Sequence, residues 1–317
     1  MILVVGDVIN DIVVRPRAPV AADSDTPSTI TASPGGSGAN QAAWLGALGA
    51  RVRFAGRAGA DDIAAHSAAL EAAGVDARLV ADPGTPTGRI VVLAKGGRRD
   101  MFTDRGANLN LTRADLPDDL LDGAGLLHVS GYSLFHPGVG AAVGDLMRRA
   151  RERGVATSVD PCSAAFLRDS GPEAFRAWAR GARLIFPNLA EGRLLTGARS
   201  ADAVATSLLG DYPVVALKLG ADGALIASRD TASRNTASKG TASRDTASAD
   251  AGSRLRLPSV PAEVVDPTGA GDAFCAGFLT AWVPGRPLDE CARAALTAAA
   301  SAVATVGARP PLTGRAS

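Results

Sequence analysis

Asp266-Pro267-Thr268-Gly269-Ala270-Gly271-Asp272-Ala273-Phe274 is the stretch on which the fold of this 317-residue chain turns. It passes from polar turn residues into an apolar, alanine-rich segment, the pattern of a helix entered from a tight loop. Small residues at 269–271 let successive backbone N–H groups point into one concavity, and the helix behind them adds the positive end of its dipole. The turn is therefore suited to an oxyanion. Asp272 falls on the first helical turn, beside those amides. A carboxylate there can take the proton of an attacking hydroxyl while the amides of Gly269, Ala270 and Gly271 neutralise charge growing on phosphoryl oxygens. Taken alone, Asp272 reads equally well as a helix-capping aspartate. A dinucleotide fingerprint is excluded, because Phe274 stands at its third glycine and no apolar strand precedes the turn.

Upstream, short apolar runs alternate with helical segments. Residues 126–129, 156–159 and 184–186 read as strands, and 140–151, 173–180 and 190–195 as helices. Such alternation calls for a mostly parallel, doubly wound α/β sheet with helices on both faces. Residues 214–218 and 224–227 extend the sheet, and 272–281 and 288–305 close it as two helices. Near the N-terminus, residues 2–5 form a buried strand, 12–15 and 29–32 further strands, and 40–48 a helix entered from Gly35, Gly36 and Gly38. Residues 52–55 read as another strand and 62–73 as a helix stopped by Gly74. The runs 88–95 and 99–104 form a hairpin across Gly96-Gly97. Residues 228–253 repeat a polar five-residue unit (SRDTA, SRNTA, SKGTA, SRDTA, SADAG), which cannot bury enough apolar surface to order itself and is expected to be a mobile loop. The whole, residues 1–317, is expected to be one domain, with a lid built from about 12–33 and 88–105.

Composition narrows the function. With 33 basic and 32 acidic residues the chain has no field to hold a nucleic-acid backbone or an anionic membrane, so its partners are expected to be small molecules. The three cysteines are widely spaced, against a disulfide framework and for a reducing, cytoplasmic setting. No apolar stretch reaches the ~20 residues of a membrane span, and no signal peptide is recognisable. Three scattered histidines do not make a zinc site. None of the three lysines, Lys95, Lys218 and Lys239, follows a glycine, which rules out a P-loop.

The nine residues from Asp266 to Phe274 resemble the C-terminal signature of the ribokinase-like (PfkB) carbohydrate kinases. Gly35-Gly36-Ser37-Gly38-Ala39-Asn40-Gln41-Ala42 is similar to the other signature of that family, and the two occur in the right order at about the right separation. By itself the second is an ordinary turn before a helix. The resemblance implies a doubly wound α/β fold with a small β lid, and ATP with Mg2+ as phosphoryl donor. It implies that Gly6 and Asn10-Asp11 open the substrate site, with Asp11 fixing sugar hydroxyls and Gly35, Gly36 and Asn40 approaching the sugar. Asn188-Leu189-Ala190-Glu191 resembles the element that positions magnesium through Glu191 and water, though Asn188 and Glu191 also fit a helix-capping pair. Lys218-Leu219-Gly220-Ala221-Asp222-Gly223 occupies the nucleotide-contacting strand and turn, and the resemblance allows a monovalent cation, K+, near Asp266.

Arg105 and Asn108, just past the hairpin, offer groups for a substrate hydroxyl, carboxylate or phosphate, and Arg105 reads equally well as a solvated loop arginine. Three positions depart from the family pattern: Ser37 where ribokinases carry lysine, Pro267 in place of threonine, and Asp160-Pro161-Cys162 in place of Asp-x-Asn. Ribose is therefore not assigned. The expected activity is ATP-dependent phosphorylation of a hydroxyl, primary by expectation, on a small sugar or sugar acid. A nucleoside kinase of the same fold stays open, as does an inactive sugar-binding or regulatory protein. An edge strand of the lid could pair with a second copy to give a homodimer.

Overall fold

The computed structural model describes residues 1–95, 98–229 and 253–311. The Gly96-Gly97 turn and nearly all of the five-residue repeat lie outside them. Strands and helices are numbered in chain order. A nine-stranded sheet contains β1 (Ile2–Val5), β4 (Val52–Gly59), β5 (Val75–Asp82), β8 (Leu126–Ser130), β9 (Ala156–Asp160), β10 (Leu184–Ile185), β11 (Val214–Lys218), β12 (Ala224–Ser228) and β13 (Ser253–Leu257). Its order is β13-β12-β11-β10-β9-β8-β1-β4-β5, parallel from β5 to β11 and antiparallel across the β11–β12 and β12–β13 pairs. The alternation expected from the sequence thus gives the parallel sheet, with an antiparallel edge added by the last two strands.

Side chains of β1 alternate between two cores, as a period of two requires. Ile2 and Val4 join Phe54, Phe186, Phe274 and Phe278 under α1 (Ser37–Ala47), α2 (Ile63–Ala72), α8 (Ala270–Trp282) and α9 (Leu288–Val303). Leu3 and Val5 join Val143, Met147, Phe175 and Leu217 on the other face, under α3 (Pro137–Glu152), α5 (Pro172–Trp178), α6 (Leu189–Thr196) and α7 (Ala201–Leu208). A short α4 (Ala164–Ser170) sits between β9 and α5. Phe186 and Phe278 meet edge to face with centroids 5.4 Å apart, tying β10 to α8.

A second, four-stranded sheet has the order β3-β2-β6-β7, from β2 (Ile9–Pro16), β3 (Ser28–Gly35), β6 (Thr87–Lys95) and β7 (Arg98–Gly106). The segments expected to form a lid, 12–33 and 88–105, fall on these four strands and the connections between them. Its β3 is exposed along most of its length, in keeping with the polar sequence there. No helix among the described residues is long and apolar enough to cross a membrane.

Candidate active site

Polar side chains gather at the carboxyl ends of the parallel strands, where open α/β sheets hold their ligands. Asp7 follows β1, Ser130 ends β8, Asp160 ends β9, Asn188 follows β10 and Lys218 ends β11. Asp7 is 1% exposed and holds the site together. Its carboxylate accepts the Gly38 amide at 2.9 Å, the Ser37 amide at 3.3 Å and the Ser130 hydroxyl at 3.1 Å, and pairs with Arg105 Nη1 at 3.2 Å. The start of α1 is thereby pinned over β1. Gly36 permits the approach: it caps α1 at φ +94°, and a Cβ there would lie 2.5 Å from the Asp7 carbonyl oxygen.

Gly269 plays the same part at α8. Its φ is +79°, and a Cβ would meet the Ala308 carbonyl oxygen at 2.4 Å. The loop before it is held by Asp266, whose carboxylate accepts the Thr268 amide at 2.9 Å, the Thr268 hydroxyl at 2.6 Å and the Gly307 amide at 3.2 Å. Ala273 N–H reaches back to the Gly269 carbonyl at 2.9 Å and Ala270 N–H to that of Pro267 at 3.5 Å. Among the described backbone hydrogen bonds, the Gly271 and Asp272 amides have no acceptor outside their helix. An oxyanion therefore has donors waiting on the first turn of α8.

The two glycine-rich turns meet at Asp272. Ser37 Oγ donates to Asp272 Oδ1 at 2.6 Å and Asn40 Nδ2 to Oδ2 at 3.4 Å. Burial pushes the Asp272 carboxyl up to about 7; the Ser37 hydrogen bond pulls against it, and the charge of Asp160 adds to it. A carboxyl titrating near neutrality beside free amides is what general-base chemistry at physiological pH needs.

Asp272 lines a cavity of about 720 Å³, within the usual range for a small-molecule site. Its lining includes the polar Asp160, Asn188, Glu191 and Lys218 and the apolar Val260, Pro261, Val264, Leu296, Ala299 and Val303. Gly220, Gly223, Gly269, Ala270 and Gly271 also line it, so the residues expected at the nucleotide come together. Lys218 Nζ bonds Asp160 Oδ1 at 2.9 Å. Burial alone would lower the Lys218 ammonium, but Asp160 overrides this and holds it well above its ordinary value. Asp160 Oδ2 also accepts from Gln41 Nε2 at 3.1 Å and from the Cys275 thiol at 3.2 Å. Gln41 reaches buried His128 at 3.1 Å, and His128 reaches Ser158 at 2.8 Å.

Asn188 and Glu191 form a reciprocal capping box at α6. Glu191 Oε2 accepts the Asn188 amide at 2.8 Å, Oε1 accepts Asn188 Nδ2 at 2.7 Å, and Glu191 N–H donates to Asn188 Oδ1 at 2.9 Å. Both Glu191 oxygens thus have local partners, and no cluster of three metal-ligating side chains occurs among the described residues. Such a donor set suits a magnesium ion that keeps its waters and is carried mainly by phosphate oxygens.

The residues expected at the acceptor, Asp11, Gly35, Gly36, Asn40, Arg105 and Asn108, are not among those lining this cavity, and Asn40 links them to Asp272. Asp11 packs against Gly35, where a Cβ would fall 2.0 Å from Asp11 Oδ2, and burial raises its carboxyl to about 6. Arg105 and Asn108 are differently employed from what their place after the hairpin suggests. Arg105 is held by Asp7 and lies 4.6 Å from the Tyr132 ring centroid. Asn108 accepts the Val8 amide at 2.8 Å and donates to the Val8 and Arg105 carbonyls, each at 2.8 Å, so its side chain staples the loop to β2.

The site roles of Asp7, Asp160 and Arg309 are not among those the sequence points to, although Asp160 is read there as the start of Asp160-Pro161-Cys162. The first two carry a signal, a lone carboxylate closing an apolar strand; Arg309, in the loop after α9, carries none.

The family model for the pfkB family of carbohydrate kinases matches residues 1–314, and the chain belongs to that family. It is 30% identical to the bifunctional protein HldE of Shewanella amazonensis over 96% of this chain, and spans 60% of that relative's length. Among solved structures it is similar to adenosine kinase from Sinorhizobium meliloti, with TM-score 0.82 and 24% identity over 98% of this chain and 95% of that one. It also resembles an uncharacterized sugar kinase from Pyrococcus horikoshii in complex with ATP, with TM-score 0.77 and 20% identity over 98% and 95% of the two chains. These likenesses carry the fold: a large, mostly parallel sheet with helices and a smaller separate sheet.

Proposed function

We propose that this chain transfers the γ-phosphoryl group of ATP to a hydroxyl of a small sugar-like acceptor, with Asp272 as general base. The observation that carries this is that the Asp272 carboxylate, bonded to Ser37 Oγ at 2.6 Å and Asn40 Nδ2 at 3.4 Å, shares the first turn of α8 with the Gly271 and Asp272 amides, which have no backbone acceptor among the described residues. The apolar lining from Val260, Val264, Leu296 and Val303 suits an adenine, and the amides along Gly269–Gly271 suit its phosphates, with the γ-phosphate toward Asp272. Lys218 faces the same space, its Nζ 3.6 Å from where a Cβ on Gly271 would stand.

Asp272 takes the proton of the acceptor hydroxyl as its oxygen bonds to phosphorus and the bond to the β-phosphate oxygen breaks. The amides and Lys218 hold the negative charge shared among the phosphoryl oxygens. Magnesium, held through Glu191 and water, would supply further charge neutralisation when bound with the nucleotide. Asp11, Gly36 and Asn40 hold the acceptor, and the small sheet covers it and limits hydrolysis of ATP by water. A monovalent cation beside Asp266 is the finer part of this assignment, to be tested by comparing turnover in K+ with that in a large organic cation.

A nucleoside acceptor shares the ribose hydroxyls but needs a slot for its base. The test is ADP release from MgATP across a panel of sugars, sugar acids and nucleosides. Turnover with at least one sugar supports the assignment. ATP binding with no ADP release from any member would instead indicate a protein that keeps the fold without the activity.

A further inference from the structure

Among the described residues, four buried side-chain polar atoms have no hydrogen-bond partner, and two of them, His66 Nδ1 and Arg309 Nη1, belong to one corner of the acceptor side. Arg309 crosses that corner, donating through Nε to Asn40 Oδ1 at 3.2 Å and through Nη2 to the Gly35 carbonyl at 3.3 Å. Its charge acts on both His66 and Asp11. The corner lies where the small sheet, carrying Asn10 and Asp11, meets α1, α2 and the loop after α9. Buried polar atoms left unpaired carry the full desolvation penalty, and two in one place beside a substrate site point to a ligand that supplies their partners.

Hydrogen-bond logic fixes what each atom offers. The Asp62 carboxylate can only accept, so Asn10 turns its Nδ2 to Asp62 Oδ2 at 3.0 Å and leaves its Oδ1, an acceptor, facing His66 Nε2 at 2.9 Å. His66 Nε2 therefore carries the hydrogen. Burial lowers His66 to about 4, which keeps the ring neutral and leaves Nδ1 with a lone pair. The corner thus presents an acceptor at His66 Nδ1, a donor at Arg309 Nη1 and an acceptor carboxylate at Asp11.

A carboxylate or a fully ionised phosphate offers only acceptors: it could pair with Arg309 but would leave His66 Nδ1 without a donor and set its charge against Asp11. A hydroxyl both donates and accepts: one can bridge Arg309 to Asp11 while its neighbour donates to His66. We infer that His66 and Arg309, with Asp11, form a distal acceptor subsite that takes a pair of hydroxyls and selects a neutral polyhydroxylated acceptor over one bearing a carboxylate or phosphate at that end. The inference rests on the kinase assignment above and narrows its substrate class. Arg309 is a binding residue here, distant in role from the proton transfer at Asp272.

The test measures ADP release by the full chain with MgATP against ribose, fructose and adenosine as neutral acceptors, and gluconate and fructose 6-phosphate as anionic ones. Expected is a kcat/KM at least ~10-fold higher for the best neutral acceptor than for any anionic one, with its KM raised about 10–100-fold in R309M and less in H66A, as loss of one charged hydrogen bond implies. R309K, which keeps the charge but not the fork, should recover part of the loss, and the KM for ATP should stay put. A folded R309M whose acceptor KM stays within twofold of wild type, or a best acceptor that is anionic, overturns the subsite while leaving the kinase assignment standing. Should R309M fail to fold, R309K and the neutral-to-anionic ratio of the wild type decide. Absence of ADP release with every acceptor overturns both.

Discussion

Ser37 Oγ donates a 2.6 Å hydrogen bond to Asp272 Oδ1, joining two glycine-rich turns 235 residues apart in the chain. Each turn is anchored separately, one by Asp7 and the other by Asp266, so the bond links two rigid supports. It also stabilises the ionised form of Asp272. Removing it in S37A should raise the pKa of Asp272 further and move the acid limb of the kcat profile to higher pH. A profile whose midpoint does not move would show that Ser37 does not tune the base.

The wild-type profile follows from the same shift. A base works only when ionised, and burial holds Asp272 up to about 7 against an ordinary 3.8. Turnover should therefore fall about tenfold per unit as pH drops below 7, and level off above it. Stability runs the opposite way. Between 3.8 and about 7 the unfolded chain gives up this proton before the folded one does, so the Asp272 contribution to stability decreases as pH rises through that window. Melting temperatures of wild type and D272N, compared at pH 5 and pH 8, check the sign: the variant's advantage should be larger at pH 8.

Lys218 and Asp160 form a buried pair lining the cavity, with side chains 14% and 3% exposed. D160N leaves the ammonium without its carboxylate and frees Gln41 and Cys275 from a shared acceptor. Breaking a buried pair from one side costs on the order of 3–5 kcal/mol, and denaturant unfolding should show a loss of that order. K218M should weaken use of ATP, lowering kcat/KM for the nucleotide about 10–100-fold while leaving the acceptor KM nearly constant. Equal changes in both would remove Lys218 from the phosphate site.

Much of the fold was legible in the sequence because its strands are short apolar runs bounded by glycine or polar turns. Residues 2–5, 126–129, 156–159 and 214–218 all fall within strands of the large sheet. β5 was missed because it is the sheet's edge: Asp76 and Arg78 alternate along it and pair with each other at 2.8 Å, so its apolar content is low. Strand β2 begins three residues earlier than its apolar run, since Asn10 and Asp11 are strand residues with polar work to do. α4 and α7 were also missed; they are no shorter than α5 and α6, which were read, so length alone does not account for it.

The candidate site was legible wherever its residues lie in a local motif, as in the turn at 269–272, the cluster at 35–40 and the capping pair Asn188 and Glu191. It was illegible where it depends on tertiary contact. Arg105 and Asn108 look free in sequence, yet Asp7 and the Val8 backbone occupy them. Arg309 has no motif at all, and only the packing of its loop brings it to Gly35 and Asn40.

The central claim is that Asp272 removes the proton of the acceptor hydroxyl. Turnover of D272N with the best acceptor of the panel, measured by ADP release alongside calorimetric ATP binding, tests it most directly. The expected result is a fall of about 10²–10⁴-fold in kcat with ATP binding largely retained. A D272N enzyme that turns over at the wild-type rate would contradict it.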